Sequence, residues 1–560
     1  MRLKIIFILI FLLYQTNIYS KTNENNEFNQ RYLSNYFSAL LSSVNKKDKE
    51  AIKFYEASKF LVNKHDNFLK NYIFSLVLDG QVKKAIKQIK ASKNKSSLNF
   101  FEAELLLILD SLKKRKYESV NNILKKNKTL IEFDGYEFVI YEILSSYNEL
   151  FLNKKISKPK ENFGKLNLIT DAFQNCYLES NKAESYFLNI INSENSDYSR
   201  YLFFYLANII ENEDYITAKK ISKTVESHSS SLLISQAKNW IDENKFKKFN
   251  NYFSCKNENN LLGEFFFLIS NLYSSQGEFD KSNFYLNISI YLNPKFYFNL
   301  SLLVENYYSE NNFDSAEKIL EKFSFHDEIF NWYKIKKTAQ IFKKTKSDED
   351  SLKYIEKKIK TIENPSTKML YDLANIYKNF KKYKKAIEYY NIVLSNLDSN
   401  SSTYAEALYR RGGSYERIGE HEKSDNDLLK SLKINPEDPY TLNYLAYSWL
   451  ERNYKIDEAI KMLDKAYILT KNDPYITDSV GWGYYLTGNY EVAEKYLKRA
   501  VELMPYDPIV NDHYGDLLWK LNRKLQAKYF WQNVLTLEET DEKMKTDIKF
   551  KLLNGPLKLN

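Results

Sequence analysis

Across its last third the chain sets small, large and polar positions in a fixed rhythm. From Pro474 it reads PYITDSVGWGYYLTGNYEVAEKYLKRAVELMPYD, and from Pro508 PIVNDHYGDLLWKLNRKLQAKYFWQNVLTLEE. With Pro474 as position 1, Val480 and Gly481 fall at 7 and 8, Tyr484 at 11, Gly488 at 15, Ala493 at 20, Leu497 at 24, Ala500 at 27 and Pro505 at 32. After 34 residues, Gly515, Leu518, Ala527 and Trp531 take places 8, 11, 20 and 24 again. Apolar positions three and four apart predict helices. Small residues at 8 and 20 let two helices cross closely, and large ones at 11 and 24 fill the space beside them. Gly at 15 ends the first helix in a left-handed conformation without strain. Pro at 32 or at the next position 1 cannot continue the second helix, but suits the first turn of the one that follows.

The register persists toward the N-terminus while its letters degrade. The unit from Pro439 has Ala446, Trp449, Ala459, Leu463 and Ala466; the one from Ala405 has Gly412, Tyr415, Gly419, Leu428 and Pro436. Before it come Leu373, Ala374, Tyr377, Tyr383, Ala386 and Tyr390, then Tyr273, Gly277, Phe279, Leu286 and Pro294. This pattern resembles the tetratricopeptide repeat, a helix-turn-helix unit of 34 residues that stacks into a solenoid. The resemblance is strong over 367–540, moderate over 263–325 and weak but in register over 32–255. It implies an all-α superhelix of stacked hairpins. The expected organisation is a degenerate array over 21–150, central repeats over 166–325, an irregular helical joint over 326–366, and regular repeats over 367–540. Residues 541–560 follow as a capping helix and tail. The stretch 151–165 breaks the phase, and a bend is expected there.

Residues 1–20 read as a leader and not as part of the fold. Arg2 and Lys4 precede the uncharged run IIFILIFLLY, and a polar stretch follows Ser20. That is the three-part pattern of a secretory signal peptide, with removal expected near Ser20; a bilayer span needs about 20 apolar residues. No later uncharged segment is long enough to span. Export would place Cys176 and Cys255 in an oxidising compartment. In a linear array, however, they lie two repeats apart, or about four packed helices at roughly 8–10 Å each. A bridge needs α-carbons within about 7 Å, so two buried, unpaired small side chains are expected.

Composition excludes other classes. The 13 Gly and 9 Pro in 560 residues are far below the roughly 12% usual for the pair, too few for a turn-rich β fold or a phosphate-cradling loop. The net charge of +10 is spread along solvated helix faces, with no stripe that would mark a nucleic-acid binder. The five histidines lack metal-ligand spacing: His421-Glu422 needs a second His at 425, where Asp425 stands. His513, beside Asp512, reads as a packed or solvated histidine. No catalytic motif, cofactor or metal site is expected.

The resemblance also implies a ligand surface. In tetratricopeptide arrays, positions 2, 5, 9, 12 and 13 of each first helix line the inner wall. Here these give Tyr440, Asn443 and Tyr447 in one unit and Tyr475, Asp478, Trp482, Tyr485 and Leu486 in the next. The third has Ile509, Asp512, Asp516, Trp519 and Lys520. Rigid aromatics are typical binding hot spots, and an aromatic, acidic wall suits a partner segment of apolar and basic or neutral character. The expected function is a non-catalytic scaffold binding envelope proteins in the periplasm, in the manner of exported repeat proteins of Gram-negative bacteria. The alternative is an accessory subunit or helical-repeat enzyme acting on cell-wall or envelope substrates.

Overall fold

The computed structural model describes residues 30–92, 98–126, 135–192, 199–225, 231–323 and 328–556; the leader lies outside them. Among the described residues the regular structure is helical. The helices are α1 (Gln30–Val44), α2 (Asp48–Ala57), α3 (Asp66–Leu78), α4 (Val82–Ala91), α5 (Phe101–Lys113), α6 (Tyr117–Lys126), α7 (Tyr136–Asn153), α8 (Lys165–Tyr177), α9 (Ala183–Ile191) and α10 (Ser199–Glu211). There follow α11 (Tyr215–Thr224), α12 (Leu232–Asp242), α13 (Lys247–Tyr252), α14 (Glu258–Ser275), α15 (Phe279–Leu292), α16 (Leu300–Ser309), α17 (Phe313–Leu320), α18 (Glu328–Thr345) and α19 (Asp348–Ile359). The regular repeats hold α20 (Thr367–Asn379), α21 (Tyr383–Ser395), α22 (Ser402–Glu416), α23 (His421–Ile434), α24 (Pro439–Glu451) and α25 (Ile456–Leu469). They end with α26 (Pro474–Leu486), α27 (Tyr490–Leu503), α28 (Pro508–Lys520), α29 (Lys524–Val534) and α30 (Glu542–Asn554). The chain divides into two compact units, residues 1–351 and 352–560.

The hairpin turn is built alike in strong and weak units. Gly80, Gly277, Gly419 and Gly488 all have φ between +77° and +80°. Where glycine is absent the same left-handed place is taken by Arg115, Glu213, Asn311, Lys381, Asn453 or Asn522. The interior obeys the small-against-large rule. A Cβ added to Gly481 would stand 2.6 Å from Leu497, and one added to Gly515 would stand 2.5 Å from Trp531 Nε1. Ala493, Ala500 and Ala527 are fully buried.

In the N-terminal unit the hairpin α14–α15 is a spine and not one more rung. Every residue from Ser282 to Ser289 is buried, as in a helix surrounded by others. Phe74 of α3 stacks on Phe284 at 4.8 Å, Asn287 donates to the Leu78 carbonyl at 3.0 Å, and Lys113 of α5 donates to the Tyr291 carbonyl at 2.7 Å. On α14, Glu258 accepts from Tyr117 at 2.7 Å and Tyr177 at 2.9 Å. Glu264 takes a bidentate pair from Arg200 of α10, both bonds 2.7 Å.

This curling corrects the expectation for the cysteines. Both are buried, but they form a disulfide, with α-carbons 5.7 Å apart. Cys176 ends α8 and Cys255 lies just before α14. Wrapping the array round the spine brings these segments together, whereas counting rungs along a straight stack kept them apart. The phase-breaking stretch forms a loop between α7 and α8, and the segment 326–366 contains α18 and α19.

Candidate functional site

The C-terminal unit stacks α20, α22, α24, α26 and α28 side by side, each contacting the next. Three of them start alike: Asp438, Asp473 and Asp507 cap α24, α26 and α28, each followed by a proline in the first turn. Their side chains accept backbone N–H bonds of 3.2 Å (Thr441), 3.0 Å (Ile476) and 2.8 Å (Ile509). An Asp cap with Pro at the first position fixes where each helix begins, and so fixes the height of position 2 on successive helices. That position holds Tyr440, Tyr475 and Ile509, which are 52%, 57% and 54% exposed.

Deeper in the wall the expected groove residues are drawn into one network. Trp482 stacks between Tyr485, at 4.6 Å, and His513, at 4.0 Å, and its Nε1 donates to Glu451 at 2.9 Å. His513 Nδ1 lies 2.8 Å from Asp478 Oδ2. Lys551 of α30 reaches Asp512 at 2.7 and 2.8 Å and Asp516 at 2.9 Å. Trp531 Nε1 donates to Asp516 at 3.2 Å. Trp519 covers Gly555, where a Cβ would come within 2.5 Å of its ring.

The electrostatics follow from this packing. Burial alone would depress the His513 imidazole, but Asp478, Asp512 and Asp516 lift it above its ordinary value. Burial and the neighbouring Asp512 push Asp516 up to about 6, against Lys551. Asp478, Trp482, Tyr485 and Asp516 are thus buried, Asn443, Tyr447, Asp512 and Trp519 are half-buried, and Tyr440 and Tyr475 are exposed, with the Tyr440 hydroxyl donating to the capping Asp473 at 3.4 Å. Sequence reasoning missed Lys551. Its signal is the spacing of 35 residues after Asp516, which puts α30 where another first helix would stand. Among the described residues no group of three or more His, Cys, Asp or Glu is placed to hold a metal ion, and no helix is long and apolar enough to cross a membrane.

The tetratricopeptide repeat family model matches residues 367–395 and 405–438. These two segments are tetratricopeptide repeats. A tetratricopeptide repeat-containing protein of Pseudomonas aeruginosa is 33% identical over 109 residues, a match that spans 20% of this chain and 18% of that protein. One of Methanocaldococcus jannaschii is 24% identical over 492 residues, covering 82% of this chain and 78% of its own. Among solved structures, a tetratricopeptide repeat protein from Parabacteroides merdae overlays 46% of this chain and 98% of its own, at 16% identity and TM-score 0.38. PilF of Pseudomonas aeruginosa overlays 33% and 82%, at 17% identity and TM-score 0.29. Such repeats imply a protein-interaction scaffold.

Proposed function

We propose that the chain is an exported scaffold of the cell envelope that holds segments of partner proteins along the inner wall of its C-terminal unit. The observation that carries this reading is the row Tyr440, Tyr475 and Ile509. Each of these three first helices leaves a large side chain exposed at its start, beside a capping aspartate and a proline. The wall behind the row is rigid, so binding there orders few side chains and retains more of the contact energy. Export is supported by the leader-like residues 1–20 and by the buried Cys176–Cys255 bridge, since such bonds persist in oxidising compartments.

The test is affinity capture from native cells with wild type and a Tyr440→Ala, Tyr475→Ala double variant. These exposed residues can be removed without disturbing the Trp482 stack. The expected result is loss of specific partners with an unchanged melting profile. Equal capture by both proteins would contradict the reading. For export, the mature N-terminus is expected near Lys21, and a chain that retains Met1 in the cytoplasm would contradict it.

A further inference from the structure

The positive charge of the chain is not spread evenly. Residues 83–128 hold 13 lysines and arginines against four acids, a difference close to the net +10 of all 560 residues. The fold joins these cations to a second basic stretch, the α7–α8 loop that begins KKISKPK at Lys154. Two buried carboxylates make the join. Asp110, near the end of α5, pairs with Lys90 of α4 and with Lys114 at 2.7 Å. Glu258 lies 3.5 Å from Arg115, in the α5–α6 turn, and 3.7 Å from Lys154, at the start of the loop. Each acid faces two cations and so leaves an excess of positive charge. Lys83 and Lys87 share the exposed face of α4 with Lys90, and Lys116 is exposed beside Arg115. Of the exposed acids adjoining these stretches in sequence, Glu179 is paired with Lys256 at 3.0 Å, which leaves Glu118 and Glu161.

The loop is built to present its outer side. Buried Ser146 of α7 donates to the Ser157 carbonyl, as does buried Gln174 of α8 at 2.7 Å, and Gln174 accepts from the Ser157 N–H at 2.9 Å. Buried Glu142 accepts from the Lys160 N–H at 3.1 Å. With the backbone pinned at 157 and 160, Lys154, Lys155 and Lys158 are exposed, and between them Ile156 is 45% exposed.

We infer that this face of the N-terminal unit docks on a membrane surface bearing anionic phospholipid headgroups, its lysines against the phosphates and Ile156 at the boundary of headgroup and acyl chain. The inference goes beyond the scaffold reading and does not depend on the C-terminal wall. Each Lys or Arg near an anionic leaflet raises partitioning several-fold. Lysine stems can lie along the apolar layer while their ammonium groups stay among the headgroups, and a shallow apolar anchor adds to the attraction. A single-stranded nucleic acid is the less suited polyanion, because its bases need exposed aromatic rings to stack on. Here the exposed apolar residue is aliphatic, and the nearby Tyr117 and Tyr177 are engaged by Glu258.

The test is co-sedimentation of the full chain, purified from native cells, with vesicles of phosphatidylcholine alone or mixed with phosphatidylglycerol. Wild type is expected to bind the mixed vesicles and not the neutral ones, and to be released as salt is raised. Lys87→Gln, Lys116→Gln, Lys155→Gln and Lys158→Gln combined should weaken binding about tenfold or more with an unchanged melting profile, since all four side chains are exposed. Ile156→Ser alone should weaken it about threefold, an effect that a purely ionic contact would not show. The Tyr440→Ala, Tyr475→Ala variant should bind vesicles as wild type does, which separates this surface from the C-terminal wall. Equal binding to neutral vesicles, equal binding by the fourfold lysine variant, or no effect of Ile156→Ser would each overturn the inference. Tighter binding to polyglutamate or to a single-stranded oligonucleotide than to the mixed vesicles would also overturn it, as would release by inorganic phosphate where chloride of equal ionic strength releases nothing.

Discussion

Position 15 of the repeat shows how one backbone angle selects residues. Lys381 occupies the left-handed conformation that Gly488 occupies in a later unit, with φ of 56° against 78°. A left-handed L-residue costs about 1–2 kcal/mol, so Lys381→Gly is expected to stabilise the C-terminal unit by about 0.5–1 kcal/mol in chemical denaturation. Gly488→Ala should destabilise it by a similar amount even though nothing lies within 4 Å of the added carbon. Gly515→Ala fails for a different reason: its Cβ meets the buried Trp531 ring, and about 1–3 kcal/mol of overpacking is expected. A smaller residue at 531 should recover part of that loss.

His513 provides the pH prediction at this scale. Its folded pKa is raised, so the stability it contributes is fully present below its unfolded value and is lost as pH rises through the folded one. Asp516 is also raised, so its proton favours the fold at low pH and the advantage is gone above about 6. Both signs agree. Stability of the last repeats should fall as pH rises through about 6 for Asp516 and onward above the ordinary histidine value for His513, and His513→Gln should flatten the upper part of that fall. Trp482, stacked on the imidazole, reports the titration by fluorescence.

At the scale of elements, the bridge and the spine belong together. Cys176 and Cys255 close a loop with a sequence separation of 79, for which chain entropy gives about 4.5 kcal/mol. Replacing both by Ser should lower the stability of the N-terminal unit by an amount of that order, read as faster hydrogen exchange in α8 and α14. Unchanged exchange would mean that the packing of the spine alone suffices. The helix pairs of the C-terminal unit were legible because Gly481, Gly515, Ala493 and Ala527 stand where shape demands them. The spine was not, because its register is that of an ordinary repeat. The readable clue was the run from Ser282 to Asn293, which carries no charge and so has no face suited to solvent. The disulfide was hidden for the same reason, since a period gives the order of helices along a stack but not the curl that returns one rung to another. The places of the expected wall residues on their first helices were legible from the repeat. Which of them stay exposed depended on Lys551 and His513, whose hydrogen-bond partners lie 35 or 39 residues away in sequence.

For the molecule as a whole, the two units hold different kinds of surface. The N-terminal unit surrounds its spine and ties it with the bridge and the Arg200–Glu264 pair. The C-terminal unit leaves the large side chains Tyr440, Tyr475 and Ile509 exposed at the starts of successive first helices. On this account the second unit is where partner proteins are held. The most direct test is a photo-reactive side chain placed at Tyr475 on the inner wall or, for comparison, at the exposed Tyr529 of α29, in the native cell. The account predicts a discrete cross-linked partner from position 475 and none from position 529. Adducts from 529 alone, or from neither position, would contradict it.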